Sequence, residues 1–236
     1  MVANPREIDV TLLKQLCEKY GLEIPMVCTG EIFGQDGYCC SDPDPEKRAE
    51  AIRRGKDAID LASEFGKQIN VGRFKGYKHF GYPEDECIAR STAGLKELLA
   101  YAAEKGVFIA IEPANSIVTN YCNTTQEGVA LVKELDHPNC TLMIDTNHIH
   151  ISDKDMVQSV YDAKEYLTYV HLSESNRLIP GSCKFDFETF LKTLHEVGYD
   201  GWVTVEIFQR PDQDTAIEKS AEYVRGLLNK LGYRIL

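Results

Sequence analysis

Short apolar, β-branched runs alternate with amphipathic helical stretches almost without interruption along this chain, and this alternation most limits its fold. The strand-like runs are Glu23–Thr29, Gln68–Gly72, Val107–Glu112, Leu142–Asp145, Leu167–His171 and Trp202–Glu206. Helical spacing covers Ile8–Tyr20, Glu46–Phe65, Glu84–Lys105, Thr125–Leu135, Lys154–Ala163, Asp186–Val197 and Thr215–Leu231. Gly21, Gly66 and Gly106 follow three of these helices as stop signals, and Asp42-Pro-Asp-Pro opens the second. Strands separated by helices imply a parallel sheet with helical crossovers, hence an α/β fold.

Four of the strand-like runs close on, or next to, a residue able to bind a metal: Glu112, Asp145, His171 and Glu206. Residues at the ends of parallel strands joined by helices emerge on one face, where α/β enzymes place their chemistry. Three carboxylates and one imidazole brought together there would repel one another without a divalent cation between them. Hard carboxylate oxygens with one imidazole suit Mn²⁺, Co²⁺ or Mg²⁺ better than a thiolate-rich zinc site. The expectation is therefore one divalent metal ion of this hard class.

Composition narrows the partners. A chain of 236 residues with 43% hydrophobic content fits one domain, 1–236. Its net charge of −11 argues against nucleic acid, whose phosphates require a basic surface. The eight cysteines form no Cys-x-x-Cys pair, and several lie inside strand or helix runs, as core thiols do. Reduced cysteines in the cytoplasm are expected. No apolar run reaches the roughly 18 residues needed to cross a membrane.

The residues after these strand ends are more distinctive. Glu112 continues as Glu112-Pro-Ala-Asn115, Asp145 as Asp145-Thr-Asn-His148, and His171 as His171-Leu-Ser-Glu-Ser-Asn-Arg177-Leu-Ile-Pro-Gly181. Together they resemble the ketose 3-epimerase (D-tagatose 3-epimerase-like) group of the xylose-isomerase-like TIM barrel superfamily, over nearly the whole chain and most strongly from Val107 to Ile207. The resemblance implies that Glu112, Asp145, His171 and Glu206 ligate one divalent metal, usually Mn²⁺, that Glu112 and Glu206 are also the catalytic acid/base pair, and that His148 and Arg177 hold sugar oxygens. It also implies a homo-oligomer, dimer or tetramer, acting on a small sugar. The reaction would invert the carbon beside a ketose carbonyl through a metal-stabilised enediolate. Alternative readings are an inosose-dehydratase-like lyase and a metal-binding but inactive barrel.

Two departures bear on the substrate. Where the group typically continues with Arg, an aromatic and a second Glu, this chain reads Ser116-Ile117-Val118. Its glycine-rich Pro-Gly-x-Gly turn becomes Pro180-Gly-Ser-Cys183. The chain also begins at a helix, so the barrel is expected to lack its first strand, first helix and second strand. About six strands remain, and the exposed edges would be covered by a further N-terminal segment or by another copy. Among the remaining residues, His150 is expected to be structural, Glu174 to lie behind or around the site, and Trp202 to pack.

Overall fold

The computed structural model describes residues 4–233. Six parallel strands form one sheet in chain order: β1 (Val27–Cys28), β2 (Gln68–Val71), β3 (Phe108–Ile111), β4 (Cys140–Asp145), β5 (Leu167–Leu172) and β6 (Trp202–Val205). Helix α1 (Val10–Tyr20) precedes the sheet. Between β1 and β2 run α2 (Gly30–Gly34) and α3 (Pro45–Ser63), and α4 (Glu84–Lys105) and α5 (Thr125–Leu135) form the next two crossovers. Helices α6 (Thr146–Ser152) and α7 (Met156–Ala163) link β4 to β5, α8 (Phe187–Glu196) links β5 to β6, and α9 (Gln213–Lys230) follows. Among the described residues the result is a curled, partial TIM-type (β/α) barrel with six strands: the alternation implied the parallel sheet, and the family resemblance the barrel.

Helix ends follow local chemistry. Asp9 accepts from Leu12 N at 2.9 Å, and Thr124 and Glu127 form a reciprocal capping box. Gly21 and Gly106 close α1 and α4 in the left-handed conformation, which costs glycine little.

The period of two along each strand sorts side chains to opposite faces. Ile109, Ile111, Leu142, Ile144, Val170 and Leu172 point into the large core between sheet and helices. Met26, Ala110, Met143 and Tyr169 make a smaller cluster on the concave face. Glu112, Asp145 and His171 lie two residues beyond Ala110, Met143 and Tyr169, so the pleat sends them to the concave side at the C-terminal rim. Asn70 and Cys28 share this parity on β2 and β1.

Several local expectations are corrected. The first strand shrinks to two paired residues, because Pro25 has no N–H to donate. Residues 146–152, outside the helical stretches read from the sequence, form α6, so His148 and His150 lie on a helix, and His150 is exposed. Trp202 does not pack: it is 47% exposed on an edge strand that pairs only with β5. Among the described residues, neither β1 nor β6 has a strand partner on its outer side.

Candidate active site

Strand register brings the four sequence-selected residues together. Asp145 and His171 are direct partners across the β4–β5 pair. Glu112 follows β3 and donates its N–H to Val71 O at 3.0 Å, while Glu206 follows β6 and donates to Leu172 O at 3.0 Å. One ligand atom from each lies within 4.8 Å of all the others.

His171 is the centre of this group. Its Nδ1 lies 3.7 Å from Glu112 Oε1, 3.7 Å from Asp145 Oδ2 and 3.2 Å from Glu206 Oε2. Among the described residues this buried nitrogen has no hydrogen-bond partner, so the three carboxylates surround it without satisfying it. Ligands about 2.0–2.2 Å from one ion sit about 3 Å apart when adjacent, close to these spacings. An orphaned imidazole nitrogen among three hard oxygens fits a single divalent cation.

The electrostatics also call for positive charge. Burial disfavours a charged His171, yet Asp145, Cys28, Glu112 and Glu206 raise its pKa well above the ordinary value. Burial pushes the Asp145 carboxyl up, but His171 and Arg177 outweigh it and hold it well below the usual carboxylate range. Glu112 is likewise lowered, with His171 and His148 outweighing burial.

Arg177 donates from Nη1 to Asp145 Oδ2 at 2.7 Å and from Nη2 to Glu206 Oε2. Its guanidinium therefore occupies the rim of the carboxylate cluster rather than pairing with a surface acid. The residue sits at φ 63°, a conformation uncommon outside glycine and often found at functional loops. His148 Nε2 is 4.0 Å from Glu112 Oε1, and its Nδ1 is 2.8 Å from Asn115 Nδ2. Asn115 Oδ1 accepts from Ile117 N at 3.0 Å, which orients the amide with its NH₂ toward the ring. His148 Nδ1 is then the acceptor, and Nε2 carries the proton on the side facing the site.

Three supporting residues were not selected from the sequence. Asn70 Nδ2 donates to Glu112 Oε2 at 2.8 Å, while Asn70 Oδ1 accepts from Thr29 N at 2.9 Å. Lys75 is fully buried, and its Nζ donates to Gly72 O and Glu112 O, both at 3.0 Å. Gly72 leaves room for the carboxylate, because an added Cβ would come within 2.5 Å of Glu112 Oε2. None follows a motif; the only available signal was the concave-face parity of Asn70 and Gly72 with the ligands. Glu174, expected behind or around the site, is fully buried and accepts from the N–H groups of Ser175, Gly181, Lys184 and Phe185 at 2.8–3.1 Å. It therefore holds the loop that carries Arg177.

Comparison with known proteins agrees with this geometry. The family model described as "Xylose isomerase-like TIM barrel" matches residues 1–227. The chain belongs to this family. Among xylose isomerase-like barrels, it is 32% identical over 209 residues to an L-ribulose 3-epimerase of Methylomonas sp. (strain DH-1), covering 87% of this chain and 71% of that protein. A ketose 3-epimerase of Arthrobacter globiformis is 30% identical over 211 residues, covering 87% and 70%. The crystal structure of D-allulose 3-epimerase from Methylomonas sp. in complex with D-allulose superposes with a TM-score of 0.84 at 29% identity. That match covers 95% of this chain and 84% of the other.

Proposed function

We propose that this chain is a divalent-metal-dependent ketose 3-epimerase, inverting the carbon beside a ketose carbonyl. The observation that carries the reading is the placement of Glu112, Asp145, His171 and Glu206, with their ligand atoms within 4.8 Å on the concave rim. These four residues would hold the ion, and the hard donor set favours Mn²⁺ over a softer metal. When bound, such an ion chelates carbonyl and hydroxyl oxygens and stabilises the negative charge left when the neighbouring carbon loses its proton.

The chain's own residues account for the proton transfers. Glu112 and Glu206 reach the cluster from either flank of the β4–β5 pair. One carboxylate removes the proton from one face of the sugar, and the other returns a proton to the opposite face. Asn70 fixes the Glu112 carboxylate by donating to Oε2, leaving Oε1 on the side of His171 and His148. His148 presents Nε2–H to a sugar oxygen. Arg177 supplies a second donor at the rim, sharing its guanidinium between the cluster and substrate.

The 236 residues are proposed to act as one catalytic domain in the cytoplasm. The open β1 and β6 edges support self-association, because unpaired strand edges favour pairing with another chain. Within the described residues no helix is long and apolar enough to cross a membrane.

Incubation with a ketose panel in Mn²⁺ and D₂O, followed by mass analysis, tests the reaction. An epimer isolated with one solvent deuterium at the inverted carbon is expected. A product lighter by one water would instead indicate a lyase, and unchanged sugar without deuterium would remove the catalytic reading.

A further inference from the structure

The segments that follow β1, β2 and β3 border an open cavity of about 350 Å³, lined by Phe33, Arg73, Tyr77 and the 116–120 segment. It opens on the same rim as the carboxylate cluster. Arg73 follows Gly72, which lies against the Glu112 carboxylate, and Ser116 follows Asn115, which holds His148. A sugar with its carbonyl end at the cluster can therefore direct its far end here. The volume lies within the roughly 300–1,000 Å³ of ordinary small-molecule sites.

The charge in this cavity is unusual for the chain. The Arg73 guanidinium lies over the Phe33 ring, with Cζ 5.5 Å from the centroid. Among the described residues its side chain has no hydrogen-bond or ion-pair partner. No carboxylate lines the cavity, although the whole chain carries a net charge of −11. The Glu31 carboxylate is close to the guanidinium, since Glu31 Oε2 and Arg73 Nη2 lie 3.3 Å and 3.0 Å from the point a Gly34 Cβ would occupy, but the two form no ion pair; the nearby Lys78 is already paired with Glu84 at 2.7 Å. Thr119 Oγ1 is also buried without a partner. Ser116, Ile117 and Val118 present no charge. A half-buried guanidinium that forms no ion pair or hydrogen bond is suited to an anion, which it can bind through two parallel hydrogen bonds.

We propose that this cavity is the subsite for the far end of the ketose, and that Arg73 selects substrates carrying a terminal anionic group, either a phosphate ester or a carboxylate. The proposal rests on the epimerase reading for the placement of the carbonyl end. Ser116 and Val118 leave room for the group.

Two measurements on the Mn²⁺-loaded protein test it. The first compares kcat/KM for D-ribulose and D-ribulose 5-phosphate, and for D-fructose, D-fructose 6-phosphate and D-fructuronate. An anionic member should exceed its neutral counterpart by about tenfold or more, through KM, and R73A should reduce that ratio at least tenfold, with R73K recovering part of it. A preference for phosphate esters or for fructuronate identifies which anion the subsite takes. A neutral sugar preferred by wild type, or a ratio unchanged in R73A, overturns the proposal. The second is calorimetric titration with inorganic phosphate and with acetate. Saturable binding of either that is lost in R73A supports the subsite even if no ketose is turned over, in which case only the epimerase reading fails. Absence of binding together with absence of turnover overturns both.

Discussion

The fully buried ammonium of Lys75 donates 3.0 Å hydrogen bonds to the main-chain carbonyls of Gly72 and Glu112, tying the end of β2 to the end of β3 beneath the carboxylate cluster. A buried lysine without a carboxylate in contact is costly, and burial pushes its pKa down. Its retention is explained by the backbone it holds. Lys75→Met should leave the Glu112 carbonyl unsatisfied, costing about 1–3 kcal/mol, partly offset because a charge no longer has to be buried. Denaturant melts and Mn²⁺ titration would show a modest loss of stability together with weaker metal binding. Unchanged metal affinity would mean that the lysine only fills space.

Glu206→Gln retains size and one ligating oxygen but removes the base. Turnover should fall by about 10² or more while metal still binds. Deuterium incorporation into recovered sugar is the measurement, and exchange at the wild-type rate would take Glu206 out of the mechanism.

Asn70→Leu removes the donor that orients Glu112. A hydrogen bond to a charged group is worth about 1.5–3 kcal/mol, so kcat should drop by roughly one to two decades. Because Asn70 does not reach the rim donors His148 and Arg177, KM should change much less. Steady-state kinetics that showed a KM effect alone would contradict this division.

Glu174 gives a pH signature. Burial opposes its charge, but the N–H groups of Ser175 and Phe185 outweigh burial and hold its pKa below the usual range. A carboxyl depressed in the folded state stabilises it above the unfolded pKa of about 4.3, and that stability is lost as pH falls through the folded value. Glu174→Gln should therefore be less stable than wild type at pH 7, with the gap closing toward pH 3. Thermal melts in chelator, which keep metal-ligand titration the same in both proteins, would test it. A gap independent of pH would refute the assignment.

Removing metal should destabilise the fold, because three carboxylates and Arg177 would be left to balance one another. For an ion present at about 100 times its Kd, the native state gains about 2.7 kcal/mol. For a chain of this size that corresponds to a Tm shift of about 5–10 °C. A melt in EDTA that coincides with one in Mn²⁺ would argue against the site.

The strand–helix alternation and the four residues ending Val107–Glu112, Leu142–Asp145, Leu167–His171 and Trp202–Glu206 determined the parallel α/β architecture and selected the candidate ligands from the sequence alone. They could do so because side-chain direction in a strand repeats every two residues and strand ends share one rim. Glu112, Asp145 and His171 were thereby placed before any contact was known. Tertiary structure decided what surrounds them. Asn70 and Lys75 reach Glu112 from 42 and 37 positions away, and Glu174 gathers N–H groups up to 11 positions along the chain, through contacts that no local pattern records. The pairing of Arg177 with both Asp145 and Glu206 depends on how the β5 loop folds over the rim. Helix α6 was not among the helices read from the sequence; Asp145 caps it with one carboxylate oxygen while turning the other to the site. Trp202 looked like core because it opens a strand, but an edge strand offers only one neighbour to pack against, and only the assembled sheet shows which strand that is.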